Sequence, residues 1–205
     1  YTLARAGNTI LVGTYQDGIK LIENGVVRDT IPAGIEYGPY YSAIYDIDST
    51  GDCSTSQGCE ILYVSPYGIY TVEADSTSTS TTKLIKEAVD LTYDVAIYAG
   101  VGHISTTNGV LRYDLVNNTF IDSWRSTSVN RLDYAQVAVI GDTVSMGIEG
   151  YGVARKNIIT GQTLATLDST STAITSDNVY SVEASGSDLW IGTDSAAWIW
   201  DGTTA

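Results

Sequence analysis

Five times along the chain a short apolar run, a turn and a second apolar run follow one another, and this recurrence constrains the fold more than any other feature. The sharpest copy spans Asp188 to Gly202, DLWIGTDSAAWIWDG, which reads as a strand (LWIGT), a turn (DSA) and a strand (AWIWD) closed by Asp201-Gly202. Ile10-Leu11-Val12-Gly13-Thr14 leads through Tyr15-Gln16-Asp17 into Gly18-Ile19-Lys20-Leu21-Ile22. Ile61-Leu62-Tyr63-Val64-Ser65 turns at Pro66-Tyr67 into Gly68-Ile69-Tyr70-Thr71-Val72. Val95 to Gly100 is followed by a longer loop, Val101 to Asn108, and then Gly109 to Asp114; the fourth copy is Thr143 to Gly147 with Gly152 to Arg155. Tandem units that cannot bury their apolar faces alone stack on their neighbours, so the chain is read as a repeat protein.

With Gly13, Val64, Gly100, Gly147 and Gly192 taken as equivalent, the steps are about 51, 36, 47 and 45 residues, which fits propeller blades. Each hairpin has a small alternating run before it, such as Val137-Ala138-Val139-Ile140 or Val179-Tyr180-Ser181-Val182. A more polar run comes after it: Val26 to Ile31, Lys83 to Lys86, Phe120 to Trp124 and Thr163 to Leu167. Four strands per unit, with the outermost the most polar, match a blade packed inside and wet outside. The expected fold is an all-β, five-bladed β-propeller of four-stranded antiparallel blades. One domain covers 1–205, with blades at about 1–34, 35–87, 88–128, 129–172 and 173–205.

The run Ser176-Asp177-Asn178-Val179-Tyr180-Ser181-Val182, followed by Asp188-Leu189-Trp190-Ile191-Gly192-Thr193, resembles the two-component-regulator type of propeller repeat. Gly141 to Gly147 and Gly7 to Thr14 match it more loosely, and the second and third units match at the hairpin alone. The resemblance implies the propeller fold and, in that family, periplasmic sensing; it brings no catalytic residues. The last blade is short of its outer strand, because only Gly202-Thr203-Thr204-Ala205 follows its third. Either that blade ends three-stranded, the chain is a piece of a longer propeller, or a neighbouring subunit supplies the strand, since an open edge accepts strands readily.

Charge narrows the partners. Ten basic against twenty-four acidic residues give a net charge of −14. That excess disfavours nucleic acid, which needs a positive surface, and anionic membranes likewise. No apolar run is long enough to span a bilayer, and a chain opening on Tyr1 points to a processed form or a piece of a longer protein. Cys53 and Cys59 sit in a polar loop without the second half of a zinc site. They form either a disulfide, which needs an oxidising compartment, or two free thiols.

Several residues are candidates for chemistry. Asp46-Ile47-Asp48-Ser49-Thr50-Gly51-Asp52 has the spacing of the first half of a calcium loop, with Asp46, Asp48, Thr50 and Asp52 as ligands. The twelfth position is Gln57 where a Glu is expected, and Glu60 lies three residues on. The alternative is an acidic turn leading into the cysteine loop. His103, the sole histidine, is read as a surface loop residue. Glu36, Asp46, Asp48, Asp94, Asp133, Glu149 and Glu183 could supply a hydrolase carboxylate pair, but nothing selects two of them. Trp190, Trp198, Trp200, Tyr151 and Tyr67 could stack on sugars, yet they alternate along strands and suit packing between blades. Asn117-Asn118-Thr119 is a glycosylation sequon, and Ser76 to Thr82 and Ser169 to Thr172 are polar loops or O-glycan acceptors.

The expectation is therefore a non-catalytic extracellular structural or interaction module, a cell-surface, fibre or virion component. It would bind a protein partner or itself through the incomplete blade. A glycan- or small-ligand-binding propeller is the alternative, and a secreted glycoside hydrolase or lyase the third reading.

Overall fold

The structure, a computed structural model, describes residues 2–32, 43–66, 68–78, 82–87, 91–125 and 136–202. Glu36, Tyr67, Asp133 and residues 79–81 and 203–205 lie outside the described residues. The strands are β1 (Thr2–Ala6), β2 (Thr9–Gly13), β3 (Ile19–Glu23), β4 (Val26–Ile31), β5 (Asp46–Ser49), β6 (Cys59–Ser65), β7 (Gly68–Ala74), β8 (Lys83–Glu87), β9 (Thr92–Tyr98) and β10 (Val101–Thr106). They continue with β11 (Gly109–Asp114), β12 (Thr119–Trp124), β13 (Gln136–Ile140), β14 (Thr143–Ile148), β15 (Gly152–Asn157), β16 (Thr163–Leu167), β17 (Val179–Ser185), β18 (Asp188–Thr193) and β19 (Ala197–Trp200). No helix occurs among the described residues.

Consecutive strands pair in antiparallel order, giving sheets β1-β2-β3-β4, β5-β6-β7-β8, β9-β10-β11-β12 and β13-β14-β15-β16, and a three-stranded sheet β17-β18-β19. The fold is an all-β propeller of five blades. The turns are built from residues that tolerate positive φ. Asn24 (φ 51°) and Gly25 (φ 78°) join β3 to β4, the Asn-Gly pairing that a tight hairpin twisted like its strands requires.

All four outer strands carry the same irregularity. The register shifts between strands three and four at Leu21/Ile22, Ile69/Tyr70, Arg112/Tyr113 and Val153/Arg155. A bulge sharpens the local twist of a strand pair, so the outermost strand of each blade is turned in the same way.

The third blade corrects the sequence reading. Val101 to Thr106 is not a loop but the second strand, β10, and the preceding run is the first strand, β9. Ser105, paired with Val110, thus takes the place given to Gly100; Gly147 pairs with Val153 and Gly192 with Ala197 in the same way. The run VGHIST is poor in bulky apolar residues, and alternation alone did not reveal it.

The chain divides into two compact units, residues 1–100 and 101–205. In the first unit Ala6, Leu11, Ile19, Leu21 and Ile31 pack on Ile44, Ile47, Ile61, Tyr63 and Val72 in one core. Each buried Leu or Ile contributes about 1.5–3 kcal/mol relative to exposure. In the second unit Ala138, Val153, Leu167 and Ile174 pack on Val179, Val182, Leu189 and Ile191.

Burial distinguishes the end sheets from the middle ones. β6, β10 and β14 are buried almost without interruption, as strands covered on both faces must be. β1, β2 and β18 alternate between buried and exposed instead. In the first sheet Leu3 is 72% and Ile10 47% exposed, while Leu11 and Leu21 are fully buried. In the fifth, Trp190 and Ile199 are each 46% exposed, while Leu189 and Ile191 are buried. The first and fifth sheets are covered on one face only.

Candidate functional site

Two places in the molecule combine unusual chemistry with access. The first is a cavity of about 380 Å³ at the start of the β6–β7 ladder, lined by Thr50, Gln57, Glu60, Glu73, Asp75 and Ser78 among others. One wall is the loop closed by the Cys53–Cys59 disulfide, whose Cα atoms are 4.8 Å apart. The disulfide expected from the spacing is formed. Gly58 must be a glycine here: its φ is +71°, and a Cβ would lie 2.6 Å from the Ala74 carbonyl oxygen.

The walls of this cavity are held by short polar bonds. The Thr50 N–H donates to the Glu60 carbonyl (2.9 Å), and the Glu60 N–H returns to Thr50 Oγ1 (3.0 Å). Asp75 Oδ1 accepts from the Thr77 N–H (2.7 Å), Thr77 Oγ1 (2.8 Å) and the Ser78 N–H (2.8 Å). These bonds, the Thr77 N–H first, pull its carboxyl down to about 2. Glu60 behaves oppositely. It sits directly across the ladder from Glu73, and burial, then the Glu73 charge, raises its proton affinity, with Lys83 partly offsetting them. Negative walls set with hydroxyls and an amide suit a neutral or cationic polar ligand and repel anions. The Glu60–Glu73 pair was not among the sequence candidates, although counting back from the turn at Pro66 places the two opposite each other.

The D-x-D-x-T-G-D run is a strand followed by a turn rather than a continuous loop. Asp46 and Asp48 share one side of β5, and their Oδ2 atoms accept the backbone N–H groups of Val95 (2.9 Å) and Ile97 (2.6 Å) on β9. Asp46 Oδ1 also accepts from Thr2 Oγ1 (2.5 Å). Thr50 serves Glu60, and Asp52 Oδ1 caps Ser54 through its N–H (2.9 Å) and Oγ (2.6 Å). The Ser54 hydroxyl and then its N–H keep the Asp52 carboxyl below its ordinary range. The four side chains do not converge, and no group of three or more His, Cys, Asp or Glu suited to a metal occurs among the described residues.

His103 is on β10 and fully buried, which corrects its reading as a surface loop residue. Asp94 is buried on β9, whereas Glu149 and Glu183 are exposed near β14 and on β17. Asn117 is exposed in the turn before β12, its Nδ2 donating to Asp114 Oδ2 (2.7 Å).

The second place is the fifth sheet. Trp198 and Trp200 lie opposite Ile191 and Leu189 and pack on the core shared with the fourth sheet, as expected of aromatic residues between blades. Trp190 pairs with Ile199 and Glu183 on the other, exposed face. Trp198 Nε1 is buried with no hydrogen-bond acceptor among the described residues. The third strands of the other blades are well covered, as in β7 and β15, whereas β19 alternates between exposed and half-buried residues. A fourth strand flanks each of β3, β7, β11 and β15; none flanks β19 among the described residues.

No family model and no curated protein matches this chain. Among solved structures it is similar to the extracellular domain of BT4673 from B. thetaiotaomicron, described in one case as a one-component and in another as a hybrid two-component system. The two likenesses have TM-scores of 0.54 and 0.58, each at 16% identity, and cover 74% and 82% of this chain. The chain spans 20% and 21% of those structures' lengths. It is also similar to the computationally designed Ika4 protein, with a TM-score of 0.54, 11% identity, and coverage of 77% of this chain and 90% of that one. At these identities the shared property is the fold, and it is the regulator-type propeller fold that the LWIGT hairpin resembles.

Proposed function

We propose that the chain is a non-catalytic extracellular interaction module, a structural or sensory component that joins protein partners through its fifth sheet. The observation that carries this reading is the bare third strand of that sheet. β19 presents backbone groups and an exposed Ile199 at the position where every other blade receives an outer strand. Strand addition at such an edge uses main-chain hydrogen bonds for affinity and alternate side chains for selectivity. An extracellular setting is supported by the disulfide, by the accessible Asn117 sequon and by fold neighbours that are extracellular domains.

The test is a phage-displayed library of short extended peptides selected on the purified chain. Peptides of alternating apolar and polar residues are expected to bind wild type. They are expected not to bind a variant carrying a flexible linker and a copy of β16 after Ala205, which covers the edge internally. Recovery of no such peptides, or binding indifferent to the added strand, removes the reading.

The cavity beside the disulfide favours one second reading, a lectin-like or sensory module for a small polar ligand, because 380 Å³ lies within the range of ligand pockets. Calorimetry with a panel of neutral saccharides, compared between wild type and Gln57→Leu, decides it. Heats that are absent, or unchanged by the substitution, count against it.

A further inference from the structure

We infer that the uncovered face of the first sheet and the uncovered face of the fifth sheet are two halves of one interface, joining one copy of this chain head to tail to the next. The inference rests on the reading of the chain as an interaction module and names a surface other than the β19 edge.

Each face is apolar at its centre. On the first sheet Leu3 pairs with Val12, and Ile10 pairs with Ile22, so these four side chains share one side. Leu3 and Ile10 are exposed. On the fifth sheet Trp190 pairs with Ile199 and both are nearly half exposed. Exposed apolar groups gathered on one face mark interaction surfaces more often than scattered ones do.

The order of the blades makes the two faces fit. The covered side of the first sheet meets the blade that follows it, through the core shared with Ile47, Ile61 and Tyr63. The covered side of the fifth sheet meets the blade that precedes it, through Ala138, Val153 and Leu167. The first sheet is therefore bare on the side where a preceding blade would pack, and the fifth where a following one would. Sheet-on-sheet packing of the kind already used inside the chain continues from one copy to the next.

Charge selects this pairing over like with like. The bare side of the first sheet includes Arg5 and Lys20, two of ten basic residues in a chain of net charge −14. The bare side of the fifth carries Glu183 and Asp188. Two copies meeting through the same face would oppose like charges across the contact, whereas unlike faces align opposite ones. Lys20 has only a long ion pair to the exposed Asp17 (3.8 Å), and the Arg5 Nε bond to the Gly7 carbonyl is at the surface. Both are free to turn towards a partner. A blade face of four short strands offers about 300 Å², below the roughly 800 Å² per partner of a stable interface. The association is therefore weak and reversible, and because the faces differ it propagates beyond a dimer.

Two substitutions on exposed positions test this, Ile10→Glu on one face and Trp190→Glu on the other. Sedimentation velocity over a concentration series up to millimolar is expected to show wild type growing past dimer. Each variant alone is expected to stay monomeric, its apparent dissociation constant weakened about tenfold or more. Mixed in equal amounts, the variants are expected to form a dimer and stop there, each using its intact face. Unchanged circular dichroism and melting establish that both variants fold. A wild type monomeric throughout, a mixture that stays monomeric, or one variant that still dimerises alone overturns the inference. Peptide capture at the β19 edge, measured on the same samples, separates this failure from a failure of the interaction-module reading, since neither substitution removes that edge.

Discussion

The Arg155 guanidinium lies 4.1 Å from the centroid of the Trp200 ring. Its Nε and Nη2 also donate to the Ala165 carbonyl, at 3.1 and 3.0 Å. Arg155 is 8% exposed, and no carboxylate pairs with it among the described residues. Burial lowers its proton affinity without bringing it near neutrality. The aromatic face and one carbonyl thus stabilise a desolvated cation where the fourth and fifth blades of the second unit meet.

This contact is measurable by a double-mutant cycle. Trp200→Leu and Arg155→Met should each lower stability in urea melts, with a coupling energy of about 0.5–2 kcal/mol between them. The coupling should change little with salt, because the pair is shielded from solvent. A cycle that closes near zero would show that Trp200 acts through its buried area alone.

Glu60 and Glu73 give a pH-dependent prediction with a definite sign. Burial and the opposed charge raise the folded-state proton affinity of Glu60, so its ionised form costs stability. That cost is absent below the unfolded value of about 4.3 and grows as pH rises through the folded value. Glu60→Gln should stabilise the protein at neutral pH by about 0.2–1 kcal/mol, the range of one cross-strand pair. The gain should fade towards pH 3.5, and thermal melts at both values test it.

Removing the disulfide probes the cavity wall. The closed loop is short, with the cysteines six residues apart, so the Cys53→Ser/Cys59→Ser variant should lose roughly 2–3 kcal/mol on the chain-entropy account. Wild type melted with and without reductant should show the same difference. Equal stability in both states would mean that the loop bonds of Thr50 and Asp52 hold this region unaided.

Asp46 and Asp48 bind backbone N–H groups of the neighbouring blade, so each replacement by Ala leaves a donor on β9 without its acceptor. Each should cost about 1–3 kcal/mol. Calcium titration provides the contrasting observation. With both carboxylates already accepting N–H bonds, millimolar calcium should leave the melting temperature of wild type unchanged, and a clear rise would mean that the side chains turn to the ion.

Much of the architecture was legible in the chain itself. The Asn24-Gly25 turn, the LWIGT hairpin and the polar runs at 26–31 and 163–167 each match a turn or strand of the structure. The repeat was lost where its residues were small or polar. VGHIST hid a buried strand with His103 inside it, and Asp46 to Ser49 looked like a loop because its acidic side chains bond to another blade rather than to solvent. Which face of a sheet is covered depends on neighbours far away in the chain, so the exposure of Ile10 and Trp190 could not be read locally. The Glu60–Glu73 pairing needed only the hairpin register, yet it lay in a stretch read for its cysteines.

The single-sided burial of the end sheets also bears on how such a chain can lengthen. A middle repeat such as residues 136–167 has apolar residues on both sides of its sheet. A tandem duplicate of it arrives able to stack on whatever lies before and after. Duplication would move the bare faces outward without changing their chemistry, so blade number can drift by recombination while every existing contact is kept.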